Sequence, residues 1–170
     1  FGRTGKLFAF EHFKVVPDIL VLGKALGGGM PMGAFISSQE HMKLLTHDPA
    51  LGHITTFGGH PVACAAGLAA LEVLLEEDLI ANAIRMGDLF RELLVHPAIR
   101  EVRGKGLMLA VDLGDADKVQ RVVHGCLEQG VLGFWFLSCP EAFRLAPPLM
   151  INEEQAKAAV EVVLSELGSS

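Results

Sequence analysis

The sequence predicts an α/β fold in two parts, and three observations carry this. Residues 1–58 alternate short apolar runs with glycine-rich turns, Pro61 to about Glu77 forms one long apolar helical segment, and beyond residue 78 amphipathic helices alternate with strands. A domain boundary is therefore expected near residue 78, dividing the chain into 1–78 and 79–170. A chain of 170 residues, 51% of them hydrophobic, is long enough to bury a core.

Taken in order, Thr4 precedes an apolar run and predicts a capped short helix over Lys6 to Phe13. Pro17-Asp18 opens Ile19-Leu20-Val21-Leu22, a continuous apolar run bounded by turn residues that reads as a strand buried on both faces. Ala34-Phe35-Ile36 reads as its neighbour. Pro61 suits the first turn of a helix whose apolar, small-residue sequence predicts burial and close approach of other backbone. The cluster Glu76-Glu77-Asp78 ends it. Ile80, Ala83, Ile84, Gly87, Phe90 and Leu94 then fall at helical spacing. Ile99 to Val102 and Leu107 to Leu113 read as strands about the turn 103–106, with Leu107, Leu109, Val111 and Leu113 on one face. Val119, Val122, Val123, Cys126 and Leu127 mark another helix, and Val131 to Leu137 and Phe143 to Ala146 two more strands. Asn152 with Gln155 forms a capping-box pattern for the last helix.

Composition excludes several function classes. A net charge of −6 argues against a nucleic-acid partner. No apolar run reaches the roughly 18 residues that span a bilayer, and no basic-then-apolar leader opens the chain, so no membrane is expected and a cytoplasmic location is. Cys64, Cys126 and Cys139 form no C-x-x-C pair and are expected to be reduced, small, buried apolar residues. His12, His41, His47, His53, His96 and His124 show no metal spacing, so no metal is expected. The chain begins at Phe1 and enters a Gly-Arg-Thr-Gly turn at once, from which a truncation is expected.

Lys24 is the centre of the chemical case. It follows Gly23 at the end of an apolar strand and precedes Gly27-Gly28-Gly29, where strand ends present groups to a crevice and glycines let backbone approach a ligand. Partial desolvation would lower its pKa and make it an amine nucleophile for carbonyl chemistry. A merely solvated lysine satisfies the same pattern. Phosphate-loop readings fail on spacing, because Ala25 follows Gly23-Lys24 and neither glycine cluster completes G-x-G-x-x-G.

The longer string Pro17-Asp18-Ile19-Leu20-Val21-Leu22-Gly23-Lys24-Ala25-Leu26-Gly27-Gly28-Gly29-Met30-Pro31-Met32-Gly33-Ala34 resembles the cofactor-lysine signature of the class III aminotransferases, pyridoxal-phosphate enzymes of the ornithine, acetylornithine and 4-aminobutyrate type. His53 to Ala66 is similar to that family's second signature, and Phe1-Gly2-Arg3-Thr4-Gly5-Lys6 to the tail of its first. The resemblance implies a fold type I pyridoxal-phosphate transferase: 1–78 would be the C-terminal part of the large domain and 79–170 the small C-terminal domain. Lys24 would hold pyridoxal 5'-phosphate as a Schiff base and shuttle the proton between substrate Cα and cofactor. Thr56 would hydrogen-bond the cofactor phosphate of a partner subunit, implying a homodimer with shared sites; without the motif the residue reads by default as a helix-approach residue that satisfies local backbone. Arg144, in Phe143-Arg144-Leu145-Ala146-Pro147-Pro148-Leu149, would bind the substrate carboxylate, for which a guanidinium fork is suited. Without the motif it reads equally as an edge-strand surface charge. His60 stands where the family has asparagine and is expected to cap the helix.

The implied activity is amine transfer from an amino acid or ω-amine to a 2-oxo acid such as 2-oxoglutarate. A decarboxylase or aminomutase of the same fold, or a catalytically silent fragment, are the alternatives. The resemblance also places the aspartate for the pyridine nitrogen, the glycine-serine phosphate cup and the stacking aromatic upstream of Phe1. An active parent and an inactive 170-residue piece are therefore expected.

Overall fold

The computed structural model describes residues 1–168. The chain forms two compact units: Phe1 with Ala9–Glu77, and Gly2–Phe8 with everything from Asp78 onward. Assignment of Gly2–Phe8 to the second unit has no counterpart in the sequence pattern.

In the first unit, a 3₁₀ helix (Ala9–Phe13) stands where a longer Thr4-capped helix was expected. Strands β1 (Ile19–Leu22) and β2 (Ala34–Ser37) pair antiparallel, with Ile19 opposite Ser37 and Leu22 opposite Ala34. The expectation of a strand buried on both faces fails: Ile19 is 55% and Val21 76% exposed. The run is apolar enough for burial, but this unit's own elements leave it uncovered. Helix α1 (Gln39–Lys43) is short and capped by Ser38. Helix α2 (Pro61–Glu76) matches the expected helix in extent, with Pro61 at its start. It is not buried all round. Ala63, Gly67 and Leu74 are buried, while Val62, Leu68 and Leu75 are exposed. Cys64 on this helix is exposed too, against expectation, whereas Cys126 is buried and no cysteine is bridged.

The second unit closes a core of its own. Helix α3 (Leu79–Leu93) is followed by β3 (Glu101–Lys105) and β4 (Met108–Asp112), then α4 (Ala116–Glu128), β5 (Phe134–Phe136), β6 (Cys139–Leu145) and α5 (Glu153–Gly168). The four strands form an antiparallel sheet in the order β3-β4-β6-β5. Helix α4 lies on β5 and β6, α3 reaches β3, and α5 packs on α3 and α4. Phe90, Leu107, Leu109, Val111, Val119, Val122 and Val163 are almost wholly buried, as the period-2 and period-3.6 patterns require. β3 runs through the predicted turn to Lys105, and the reversal falls on Gly106-Leu107. There Gly106 has φ +52, and a Cβ on it would stand 2.6 Å from the Arg3 carbonyl oxygen. Glycine is what lets the opening turn dock on this hairpin.

Candidate functional site

Lys24 opens a 3₁₀ turn (Lys24–Gly27) directly after β1 and is exposed. Its backbone adopts the left-handed conformation, with φ +53. For a residue with a Cβ this costs about 1 kcal/mol or more, and such strain concentrates at ligand-binding positions. The turn is held by Leu26 N–H donating to the Gly23 carbonyl at 3.2 Å and Gly28 N–H to the Ala25 carbonyl at 3.1 Å.

The small residues of α2 position this turn. A Cβ on Gly67 would meet the Leu26 carbonyl oxygen at 2.5 Å, and one on Gly28 (φ +55) would meet the Ala66 carbonyl oxygen at 2.4 Å. Loop and helix backbones thus approach as closely as glycine permits, as the small-residue pattern predicted. Ahead of Lys24 there is open space: a Cβ on Gly23 would meet nothing within 4 Å.

Thr56 is exposed in the turns that lead into α2, where Gly58 N–H donates to the Thr55 carbonyl at 3.3 Å and His60 N–H to the Phe57 carbonyl at 3.2 Å. Lys24 and Thr56 are therefore both carried by α2, one on a loop against its flank and one ahead of its first turn. No hydrogen bond joins them among the described residues. His60 takes the N-cap position, yet its side chain makes no capping hydrogen bond, so the expected cap is positional only. Its ring lies 6.4 Å from that of Phe57.

Arg144 lies in the second unit on β6, paired with Ala110 of β4 on one side and Phe134 of β5 on the other. It is an interior strand residue, not the edge charge that its bare sequence also allowed. Its guanidinium carbon sits 5.8 Å from the centre of the Phe134 ring, and it makes no ion pair among the described residues. By contrast Arg103 is paired with Asp112 at 2.7 Å and Glu101 at 3.2 Å. The Arg103 hydrogen bond holds the Asp112 carboxyl below its usual pKa.

Two residues that sequence reasoning did not single out shape the Arg144 surroundings. Asn82 donates to the carbonyls of Leu149 at 2.7 Å and Ile151 at 2.9 Å, fastening the chain after the Arg144 segment. Arg3 donates to the Pro147 carbonyl at 2.7 Å. Membership of the Gly-Arg-Thr-Gly turn was the available signal for Arg3, but its partner is 144 residues away. No group of side chains suited to a metal ion occurs among the described residues, and none of their helices is long and apolar enough to cross a membrane.

Comparison with known proteins places these residues in context. The family described as Aminotransferase class-III matches residues 1–166. A Bacillus anthracis aminotransferase is 31% identical with a TM-score of 0.90, covering 99% of this chain and 42% of its own. The acetylornithine aminotransferase of Elizabethkingia anophelis is 39% identical, with a TM-score of 0.86 and coverage of 99% and 43%. The ornithine aminotransferase of Toxoplasma gondii, in a structure with partial occupancy of pyridoxal phosphate at its active site, is 37% identical, with a TM-score of 0.87 and coverage of 99% and 40%. The chain thus spans about two fifths of the length of these relatives. With a family match over nearly its whole length and an α/β fold shared with solved transaminases, the chain belongs to the class III aminotransferases.

Proposed function

We propose that this chain is the lysine-bearing part of a pyridoxal-phosphate-dependent transaminase. That enzyme moves an amino group from an amino acid or ω-amine to a 2-oxo acid, with 2-oxoglutarate as the leading acceptor. Class III aminotransferases depend on this cofactor, whose conjugated ring takes up the electron pair released when the substrate Cα–H bond breaks. The observation that carries the proposal is Lys24, an exposed residue on a strained left-handed backbone, with open space at Gly23 before it and inside the family's lysine signature.

The residues present fit the cofactor. Lys24 offers a primary amine that no carboxylate engages among the described residues, so it can bind the cofactor aldehyde and afterwards hold or release a proton at Nζ. Thr56 offers an exposed hydroxyl, a donor suited to a phosphate oxygen. Arg144 offers a guanidinium without an ion pair among the described residues, suited to a substrate carboxylate. The relatives' donors, ornithine and acetylornithine, carry such a carboxylate.

A homodimer with shared sites, acting in the cytoplasm, completes the proposal, with Thr56 serving the partner's cofactor. Segment 1–78 is assigned to the large domain and 79–170 to the small one. The 170-residue piece alone is assigned little or no activity, because it spans only about two fifths of the length of the aminotransferases it matches. The test is the visible absorbance band of the complete enzyme with pyridoxal phosphate. The band should form, vanish in Lys24→Ala, and accompany amine transfer to 2-oxoglutarate at a rate that Lys24→Ala lowers by at least about 10³-fold. A band that persists without Lys24 refutes the assignment, and CO2 release without amine transfer points to a decarboxylase instead.

A further inference from the structure

The second unit contains two arginines, Arg3 and Arg144, that no carboxylate neutralises among the described residues. Arg3 is half-buried, and its Nη1 donates to the Pro147 carbonyl at 2.7 Å and the Leu107 carbonyl at 3.3 Å. Its own carbonyl accepts from Leu107 N–H at 2.8 Å. Pro147 follows Arg144 by three residues, and Leu107 leads into β4, which pairs with β6 at Ala110 and Arg144. Arg3 is thereby tied to the segment that bears Arg144 and to the strand beside it. Burial first, and the Arg144 cation second, lower the pKa of Arg3. Neither arginine has an ion pair among the described residues, although the same sheet neutralises Arg103 with two carboxylates.

We propose that Arg3 is a positioning residue for Arg144, and that the two form a dicationic seat for a carboxylate of the substrate. This rests on the reading of Arg144 as the carboxylate-binding arginine. The bonds to Pro147 and Leu107 set the course of the chain around Arg144. Arg3, half-buried and bonded to the chain three residues beyond Arg144, adds a second cation to the positive potential that an arriving carboxylate meets. Like charges in one neighbourhood disfavour each other, and a bound carboxylate relieves both. The Gly106 approach to the Arg3 carbonyl shows how tightly this turn is docked.

The test uses the complete enzyme with pyridoxal phosphate and measures calorimetric binding of glutarate, an unreactive dicarboxylate, beside the KM and kcat for 2-oxoglutarate. Arg3→Gln keeps one donor and removes the charge. It should raise the glutarate Kd and the 2-oxoglutarate KM together by about tenfold, with kcat at saturation within about twofold. Arg3→Lys keeps charge without the fork and should lie between, at about threefold. Lowered kcat or thermal midpoint with an unchanged glutarate Kd means a structural role only and overturns the proposal; if Arg3→Gln fails to fold, an unchanged Kd in Arg3→Lys does so. Arg144→Gln should weaken glutarate by about 100-fold or more. If Arg144→Gln weakens glutarate and the Arg3 variants do not, this inference alone is wrong. If Arg144→Gln changes nothing, the reading of Arg144 falls and takes this inference with it.

Discussion

The two units differ in how far each covers its own apolar surface. Among the described residues every buried apolar side chain except Ala63 and Leu74 lies in the second unit. There three helices and a four-stranded sheet enclose Phe90, Leu109, Val111 and Val163. The first unit exposes Val21, Phe57 and Leu68 at 76%, 77% and 58%. Both are apolar by sequence, so composition does not separate them. What separates them is whether the apolar positions recur on one face of an element or all around it. One-faced patterns in α4 and β4 find partners within the unit. All-round patterns in α2 demand more covering surface than the unit holds, and α2 and its loop are also where Lys24 and Thr56 sit. The self-sufficient unit carries stability, and the uncovered one carries the cofactor residues of the proposed function.

The sharpest way to break this comparison is to truncate one large apolar side chain to alanine in each unit. Phe90→Ala in the second unit should cost about 3–5 kcal/mol, whereas Leu68→Ala in the first should cost less than about 1 kcal/mol in this chain. Trp135 is the single tryptophan, lies on β5 and reports on the second unit by fluorescence during urea unfolding. A Leu68→Ala shift of that transition as large as the Phe90→Ala shift would mean that the two units do not divide the work in this way.

Function should respond in the opposite sense. Thr56→Ala in the complete enzyme removes a hydroxyl proposed to bind a charged phosphate, and should weaken pyridoxal phosphate by about tenfold to thirtyfold. The Trp135 transition should stay where it is. Unchanged cofactor affinity, measured by equilibrium dialysis, would remove Thr56 from the phosphate site.

The same contrast explains what was legible in the sequence. Leu107, Leu109, Val111 and Leu113 alternate in sequence and are all buried, because burial on one face is what a period of two reports. Ile19 to Leu22 read as a doubly buried strand and is a half-open one, because an apolar run states a need for cover without naming what supplies it. The β3–β4 reversal comes later than the turn expected over 103–106, because Gly104, a turn residue by type, lies within β3 with φ +137. Lys24, Thr56 and Arg144 were picked out by motif resemblance. The left-handed backbone at Lys24 was not legible, since lysine carries no preference for positive φ. Nor was the reach of Arg3 to Pro147, which only the tertiary fold creates.

A pH titration probes the closed unit more gently. Burial, and then the Glu166 carboxylate, push the Cys126 thiol from 9.0 up to about 11. The folded chain therefore keeps this proton where an unfolded chain has lost it. The stabilisation is fully present below the unfolded value of 9.0 and is lost as pH rises through about 11. Allowing for solvent screening, the loss should be about 1–2 kcal/mol. Trp135-monitored unfolding at about pH 8 and about pH 11 should show this slope in the parent chain and a shallower one in Cys126→Ala. Equal slopes would mean that the thiol ionises as readily in the fold as outside it.

The smallest effect belongs to the start of α5, where sequence and structure agree atom for atom. Gln155 N–H donates to Asn152 Oδ1 at 2.9 Å, and Asn152 N–H to Gln155 Oε1 at 3.1 Å, a reciprocal capping box. Two N–H groups at the head of the helix are satisfied without help from the core. Asn152→Ala should therefore cost about 1 kcal/mol, and Asn152→Asp should restore most of it, because a carboxylate accepts the same bond and favours the positive end of the helix dipole. The loss should appear in the Trp135 transition, since α5 packs on α3 and α4 and its buried Ala156, Val160, Val163 and Leu167 belong to the common core. A loss confined to helical circular dichroism, with the tryptophan transition unmoved, would show that α5 frays on its own and that the second unit is less cooperative than its packing implies.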